Sequence, residues 1–263
     1  MLDPQSLYTL SDEQPEEGEL DSPVLLHALG GFVDAGFAGK IAADHLLEAL
    51  PNRVLATFDV DQMYDYRARR PAMMFVQDHW ESYAAPELAL RLVEDGRGST
   101  FLMLTGPEPD VQWERFVAAV EGLVERYDVG LTIGIQAIPM AVPHTRPAGL
   151  TAHGTRADLV AGHRPWVGRV QVPGNVGGLL ELRLGEAGRD AAGFSVHVPH
   201  YLAQTEFPDA AAALLESVEK LSGLELPNDA LRLAGVQTRA AIEEQVSGQP
   251  EVQAVVQALE QQY

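Results

Sequence analysis

Two stretches of this chain carry residue types at spacings that could do chemistry. The first is Tyr64-Asp-Tyr-Arg-Ala-Arg-Arg-Pro71, three arginines set among tyrosines. Guanidinium forks grip carboxylate or phosphate groups bidentately. The competing use for these arginines, Arg67 and Arg70 being the two taken as site candidates, is to pair with Asp59, Asp61 and Asp65 or to cross a subunit interface. The second stretch runs from Leu131 to Pro173. It passes through Val142-Pro-His-Thr-Arg-Pro147, His153-Gly-Thr155 and His163-Arg-Pro-Trp166 without a sustained period. Residues 136 to 173 hold four arginines and one aspartate, a local +3 in a chain of formal charge −20. A long non-periodic connection in a compact domain is functional or disordered, and Trp166, the prolines and the scarcity of acids argue for order. Such a segment either binds a small anion or meets the acidic surface of another subunit.

Positions add two carboxylates. Glu108, in the turn Gly106-Pro-Glu-Pro109, follows a strand at the edge where open α/β sheets place ligands; it is the candidate acid or base. Asp34 lies at the mouth of the first helix, where it also serves as a plausible N-cap. The candidate ligand-binding set is therefore Asp34, Arg67, Arg70, Glu108, His144, Arg146 and His153. No catalytic residue, metal or cofactor is assigned. A Walker loop is excluded, because Asp34 occupies the first glycine position counted back from Gly39-Lys40 and Ile41 follows the lysine. Gly193-Phe-Ser195-Val-His197 lacks the second glycine of a nucleophile elbow and sits in a strand. His197 and His200 straddle a proline with no carboxylate motif beside them.

The elements that must position these groups alternate. Val24 to Leu29 reads as a strand, a helix follows to Leu50, and Arg53 to Phe58 is the next strand, a βαβ opening. Met73 to Val76 is a strand, and residues 88–92 and 100–105 form a hairpin around Asp95-Gly96-Arg-Gly98. Asp110 is placed as the cap of the clearest helix, with Trp113, Phe116, Val117, Val120, Leu123, Val124 and Tyr127 on one stripe. Asn175 starts another helix, Gly193 to Val198 is a strand, and Pro208 opens the helix after it. The expected architecture is a mixed, mainly parallel sheet between helices, an α/β fold with a C-terminal helical appendage. Residues 1–22, with seven acids and no lysine or arginine, read as a solvated flexible arm. Residues 23–222 form the α/β domain and 223–263 the helical subdomain.

Composition narrows the class. With 38 acids against 18 bases, nucleic acid and anionic membranes are not expected partners. The chain has no cysteine, no basic segment leading into an apolar one at its start, and no apolar run near the roughly 20 residues that span a bilayer. The expected location is the cytoplasm.

Taken in order, Gly31-Phe-Val-Asp-Ala-Gly36, Tyr64 to Pro71, Thr105-Gly-Pro-Glu-Pro109 with Trp113, Val142 to Pro147 with His153-Gly-Thr155, and Val196-His-Val-Pro-His-Tyr201 resemble the PAC2 family. The match is with its actinobacterial branch. The resemblance implies a three-layer α/β/α fold like that of nucleoside phosphorylases, and oligomers, a trimer among them. It implies no settled activity and carries over no catalytic residue; with no complete catalytic motif in the chain, the expected role is non-catalytic binding or assembly, with protein partners. Chaperone members dock onto proteasome α-rings through a hydrophobic-Tyr-x tail; here Tyr263 is last and Gln261 is not hydrophobic. The alternative is an enzyme or sensor acting on a phosphate- or nucleoside-like anion.

Overall fold

The computed structural model describes residues 2–165 and 168–262, so Trp166 and Tyr263 lie outside the described residues. The chain forms β1 (Tyr8–Leu10), β2 (Val24–Gly30), α1 (Ala38–Ala49), β3 (Asn52–Phe58), β4 (Met73–Val76) and β5 (His79–Tyr83). These are followed by β6 (Ala89–Glu94), β7 (Thr100–Pro107), α2 (Trp113–Arg126), β8 (Leu131–Met140) and β9 (Leu150–Gly154). The last elements are α3 (Val176–Glu186), β10 (Ala191–Pro199), α4 (Pro208–Ser222), α5 (Asp229–Ser247) and α6 (Pro250–Gln262).

Eight strands make one sheet in the order β1-β3-β6-β7-β2-β8-β10-β9. The centre, β7-β2-β8-β10, is parallel, and antiparallel neighbours flank it on both sides. Parallel strands covered on both faces are apolar almost throughout, and β2 and β10 show it: Leu25 to Ala28 and Ala191 to Val196 are buried without a break. Alternation along a strand sends successive side chains to opposite faces. Leu26, Ile133 and Phe194 thus meet α1, α4 and α5 in one apolar layer, while Leu25, Leu102 and Leu104 meet α2 and α3 in the other. The fold is a three-layer α/β/α sandwich. Leu231 and Ile242 of α5 close the first layer over α4, and α6 packs back on α5. No described helix is long and apolar enough to cross a membrane.

Several expectations are corrected. The βαβ opening exists, but β6 and β7 intervene between β2 and β3. Residues 131–173 are more regular than their composition suggests, since β8 runs to Met140 and β9 pairs with β10. Asp110 does not cap α2. Its carboxylate accepts from Asp65 N–H at 2.6 Å and from Arg69 at 2.7 Å, and the helix starts instead from Gln112 in a left-handed conformation (φ 62°). Asn175 does cap α3, accepting from Gly178 N–H at 2.7 Å.

The acidic arm is not a solvated tail. Its β1 pairs antiparallel with β3 at the sheet edge, and Leu7 is fully buried. Glu19 pairs with Arg53 at 2.7 Å, and Tyr127 donates to Gln14 Oε1 at 2.8 Å. Buried Arg115 of α2 is the main tie. It donates to Asp3 O at 3.1 Å, Ser6 Oγ at 2.6 Å, Gln62 Oε1 at 3.1 Å and Gln112 Oε1 at 2.7 Å. Removing one partner of a buried charged hydrogen bond strands the others. Arg115→Met should therefore cost about 2–4 kcal/mol in urea unfolding and release residues 2–10 to rapid amide exchange.

Candidate functional site

The site grows from the point where the sheet's connections part. From β2 the chain leaves to α1 on one face; from the adjacent β7 it leaves to α2 on the other. Such a reversal opens a crevice outside the carboxyl ends of the two strands. Here it is a cleft of about 1040 Å³ walled by Gly30-Gly31-Phe32, Thr105 to Asp110, and side chains from α1 and the 64–69 loop.

Glu108 is the fixed point of the cleft. Its N–H donates to Gly30 O at 2.9 Å, its Oε1 accepts from Val176 N–H at 2.7 Å, and its Oε2 accepts from Phe32 N–H at 3.4 Å. A Cβ at Gly31 would stand 2.1 Å from Glu108 Oε2, so only glycine lets the carboxylate lie there. Across the cleft, Asp34 accepts from Gly39 N–H at 2.7 Å and Lys40 N–H at 3.1 Å, closing the amino end of α1 over a short intervening turn. Burial pushes the Asp34 carboxyl up, and those two N–H groups oppose it.

The cations of the cleft are already engaged. Arg69 donates to Glu108 O at 2.5 Å, Asp110 at 2.7 Å and Gly30 O at 3.3 Å, with its guanidinium 4.5 Å over the Tyr64 ring. Arg91 pairs with Glu87 at 2.5 Å, and Lys40 with Asp44. Three bases thus stand among five carboxylates, those of Asp34, Asp44, Glu87, Glu108 and Asp110.

Behind Glu108 lies a chamber of about 30 Å³, walled also by His27, Gly134, Gln136, His153, Gly177 and Glu181. His27 is only 6% exposed and has no hydrogen-bond partner among the described residues. Burial holds its ring at about 4, with Glu181 opposing and His153 adding to the shift, so the imidazole is neutral. Gly134 and Gly177 give it room, since a Cβ at either would come within 2.7 and 3.1 Å of its ring. His153 Nδ1 meets Glu181 Oε2 at 2.7 Å, its Nε2 lies 3.4 Å from Ser195 Oγ, and Gln136 Nε2 donates to that oxygen at 2.7 Å. The connectivity is that of a serine–histidine–acid triad. Ser195, however, sits in mid-strand with β8 and β9 paired on either side and is 5% exposed, whereas a nucleophile needs an exposed elbow. The chain of bonds holds His153 in place.

The seven sequence candidates are therefore not gathered into one grip. Asp34 and Glu108 share the cleft, and Glu108 and His153 share the chamber. His144 is buried elsewhere, its N–H donating to Tyr201 Oη at 2.9 Å and its Nδ1 2.7 Å from the same hydroxyl. Burial pushes the His144 ring down. Arg146 is exposed beside Thr145, which donates to Glu260 of α6. Arg67 and Arg70 are exposed before β4 and line neither space; Arg69, between them, is the arginine that turns in. Sequence reasoning missed Arg69, His27 and Glu181. Gly134 and Gly177, which exist to seat His27, were the available signal for the second.

A PAC2 family model matches residues 28–246. A Mycobacterium tuberculosis protein of unknown function superposes with TM-score 0.94 at 47% identity, covering 98% of this chain and 88% of that one. A Corynebacterium glutamicum protein of unknown function gives 0.92 at 39%, covering 98% and 96%. A proteasome-assembly chaperone homologue from M. tuberculosis gives 0.81 at 24%, covering 89% and 99%. No curated protein matches the chain.

The state of His27 can be read from stability. The unfolded ring takes a proton near 6.5, whereas the folded ring resists until about 4. Acid therefore favours unfolding only inside that window, by up to about 3 kcal/mol, and has no such effect above it. Urea unfolding across the window should show His27→Gln losing less stability on acidification than the wild type.

Proposed function

This chain belongs to the PAC2 family, and from that premise we propose that it is a non-catalytic, homo-oligomeric binding and assembly protein working in the cytoplasm. The observation that carries the reading is the hairpin β4–β5. Its strands pair only with each other and belong to no larger sheet. Met73, Met74, Phe75, Trp80 and Tyr83 are each about half exposed or more, and Phe75 and Trp80 meet edge to ring at 5.0 Å. A two-stranded hairpin is marginal by itself in water, and a contiguous apolar patch of this kind marks an interaction surface.

The occupant we assign is a second copy of this chain, on grounds of charge. Arg67 and Arg70 stand exposed at the foot of the hairpin with no acidic partner among the described residues, and the chain as a whole is −20. A two-fold contact centred on the hairpin would set two cationic feet near each other. A head-to-tail contact sets each foot against a different part of an acidic neighbour and, where the rotation closes, makes a ring, consistent with the expected trimer. One structural neighbour is a proteasome-assembly chaperone homologue; holding protein partners by surface rather than by chemistry is the work assigned here.

Sedimentation at micromolar concentration tests the proposal. The wild type should sediment as an oligomer. Phe75→Glu combined with Trp80→Glu should give monomers with unchanged circular dichroism, because neither side chain enters the core. A strictly monomeric wild type would remove the reading.

A further inference from the structure

The family and the hairpin leave the cleft unassigned, and its chemistry differs from the anion site that local arginine content suggested. We propose that the cleft and the chamber behind Glu108 form one binding site for an ammonium group carried on an aliphatic stem.

Charge argues first. Every base on the cleft wall is bound to a carboxylate of the protein, and five carboxylates face three bases. Two helices, α1 and α3, direct their amino ends toward this region, the places where an anion would otherwise be held. Both are filled from within. Asp34 takes the Gly39 and Lys40 N–H groups, and Glu108 and Asn175 take those of Val176 and Gly178. A phosphate arriving here meets two carboxylates and few free donors, whereas a cation meets the same carboxylates favourably.

The chamber supplies the independent observation. His27 is more than nine-tenths buried, faces a space of about 30 Å³, and finds no partner among the described residues. That space is large enough to hold a water, and an ammonium head is of similar size. Its ring lines this space rather than being sealed away from it, and a neutral imidazole offers a lone pair that an N–H can satisfy. Glu108 and Glu181 are the carboxylates on the same wall. The apolar stem has a surface of its own in the cleft, where Phe32 is 78% exposed and Phe37, Tyr64 and Trp113 also line the wall. Aromatic faces also attract cations.

Calorimetric titration of the full chain tests this with putrescine, butanediol as its neutral counterpart, and inorganic phosphate. Putrescine should bind, butanediol about tenfold or more weaker, and phosphate not measurably. Glu108→Gln keeps an acceptor for Val176 N–H but removes the charge and the weaker Phe32 N–H contact at 3.4 Å; with circular dichroism unchanged, it should weaken putrescine by about tenfold or more. His27→Phe fills the chamber without a lone pair and should do the same. Because that ring is wedged between glycines, Glu108→Gln is the deciding variant should the His27 variant fail to fold. A lysine-containing peptide separates the two sources of the group: tighter binding than putrescine assigns a partner protein's lysine, weaker binding a free amine. Phosphate or butanediol binding as tightly as putrescine, or putrescine indifferent to Glu108→Gln, would overturn the proposal.

Discussion

The carboxylate of Glu108 is the contact on which the rim of this sheet depends. It joins three segments far apart in sequence: the turn after β7, the Gly31-Phe32 turn after β2, and the start of α3. A carboxylate at the amino end of a helix is favourable because unpaired N–H groups and the helix dipole both point at it. Asp34 makes the same kind of contact with α1 on the other face of the sheet. Two helices on opposite faces are thus anchored by acids from the carboxyl edge of one sheet. The crevice that many α/β folds use for phosphate is given a negative wall by the same bonds that hold it in shape.

Room for these groups comes from missing side chains. Gly31 admits Glu108, Gly134 and Gly177 admit His27, and a Cβ at Gly193 would lie 2.1 Å from the ring of His153. The polar groups so admitted are mostly satisfied by one another, as in the line Gln136, Ser195, His153, Glu181. A connected polar network inside a fold fixes geometry, whereas a half-satisfied one costs stability. His27 makes no bond in this line, and its ring lines the small space behind Glu108.

Elements held by a local pattern were legible in the sequence. The apolar stripe of α2, the unbroken runs of β2 and β10, the turn of the β6–β7 hairpin and the Asn175 cap all have causes within a few residues. What was not legible is held by distant partners. The arm looks solvated because seven of its residues are acids, yet Leu7 and the Arg115 bonds tie it to a helix a hundred residues on. β5 gave no signal because His79-Trp-Glu-Ser-Tyr83 is exposed throughout and lacks an alternating face. Arg67, Arg69 and Arg70 are the same type within four positions, so composition could not say which turns inward. His153 and Glu181 are 28 residues apart, joined only because β9 lies beside β10 under α3.

The segment from Tyr64 to Pro71 connects the two surfaces to which function is assigned. Arg67 and Arg70 face outward at the foot of the hairpin, while Arg69 reaches back to Asp110 and the backbone of Glu108 and Gly30. Asp65 N–H adds a further bond to Asp110. A partner that displaced the hairpin's foot would have to draw Arg69 off these acceptors, at a cost of about 1–3 kcal/mol for a charged hydrogen bond left unmade. Conversely, a cation that competed with Arg69 for Asp110 would loosen the segment from which the hairpin projects. One short loop, held at Asp110 by both the Arg69 guanidinium and the Asp65 N–H, thus lies between the hairpin and the cleft.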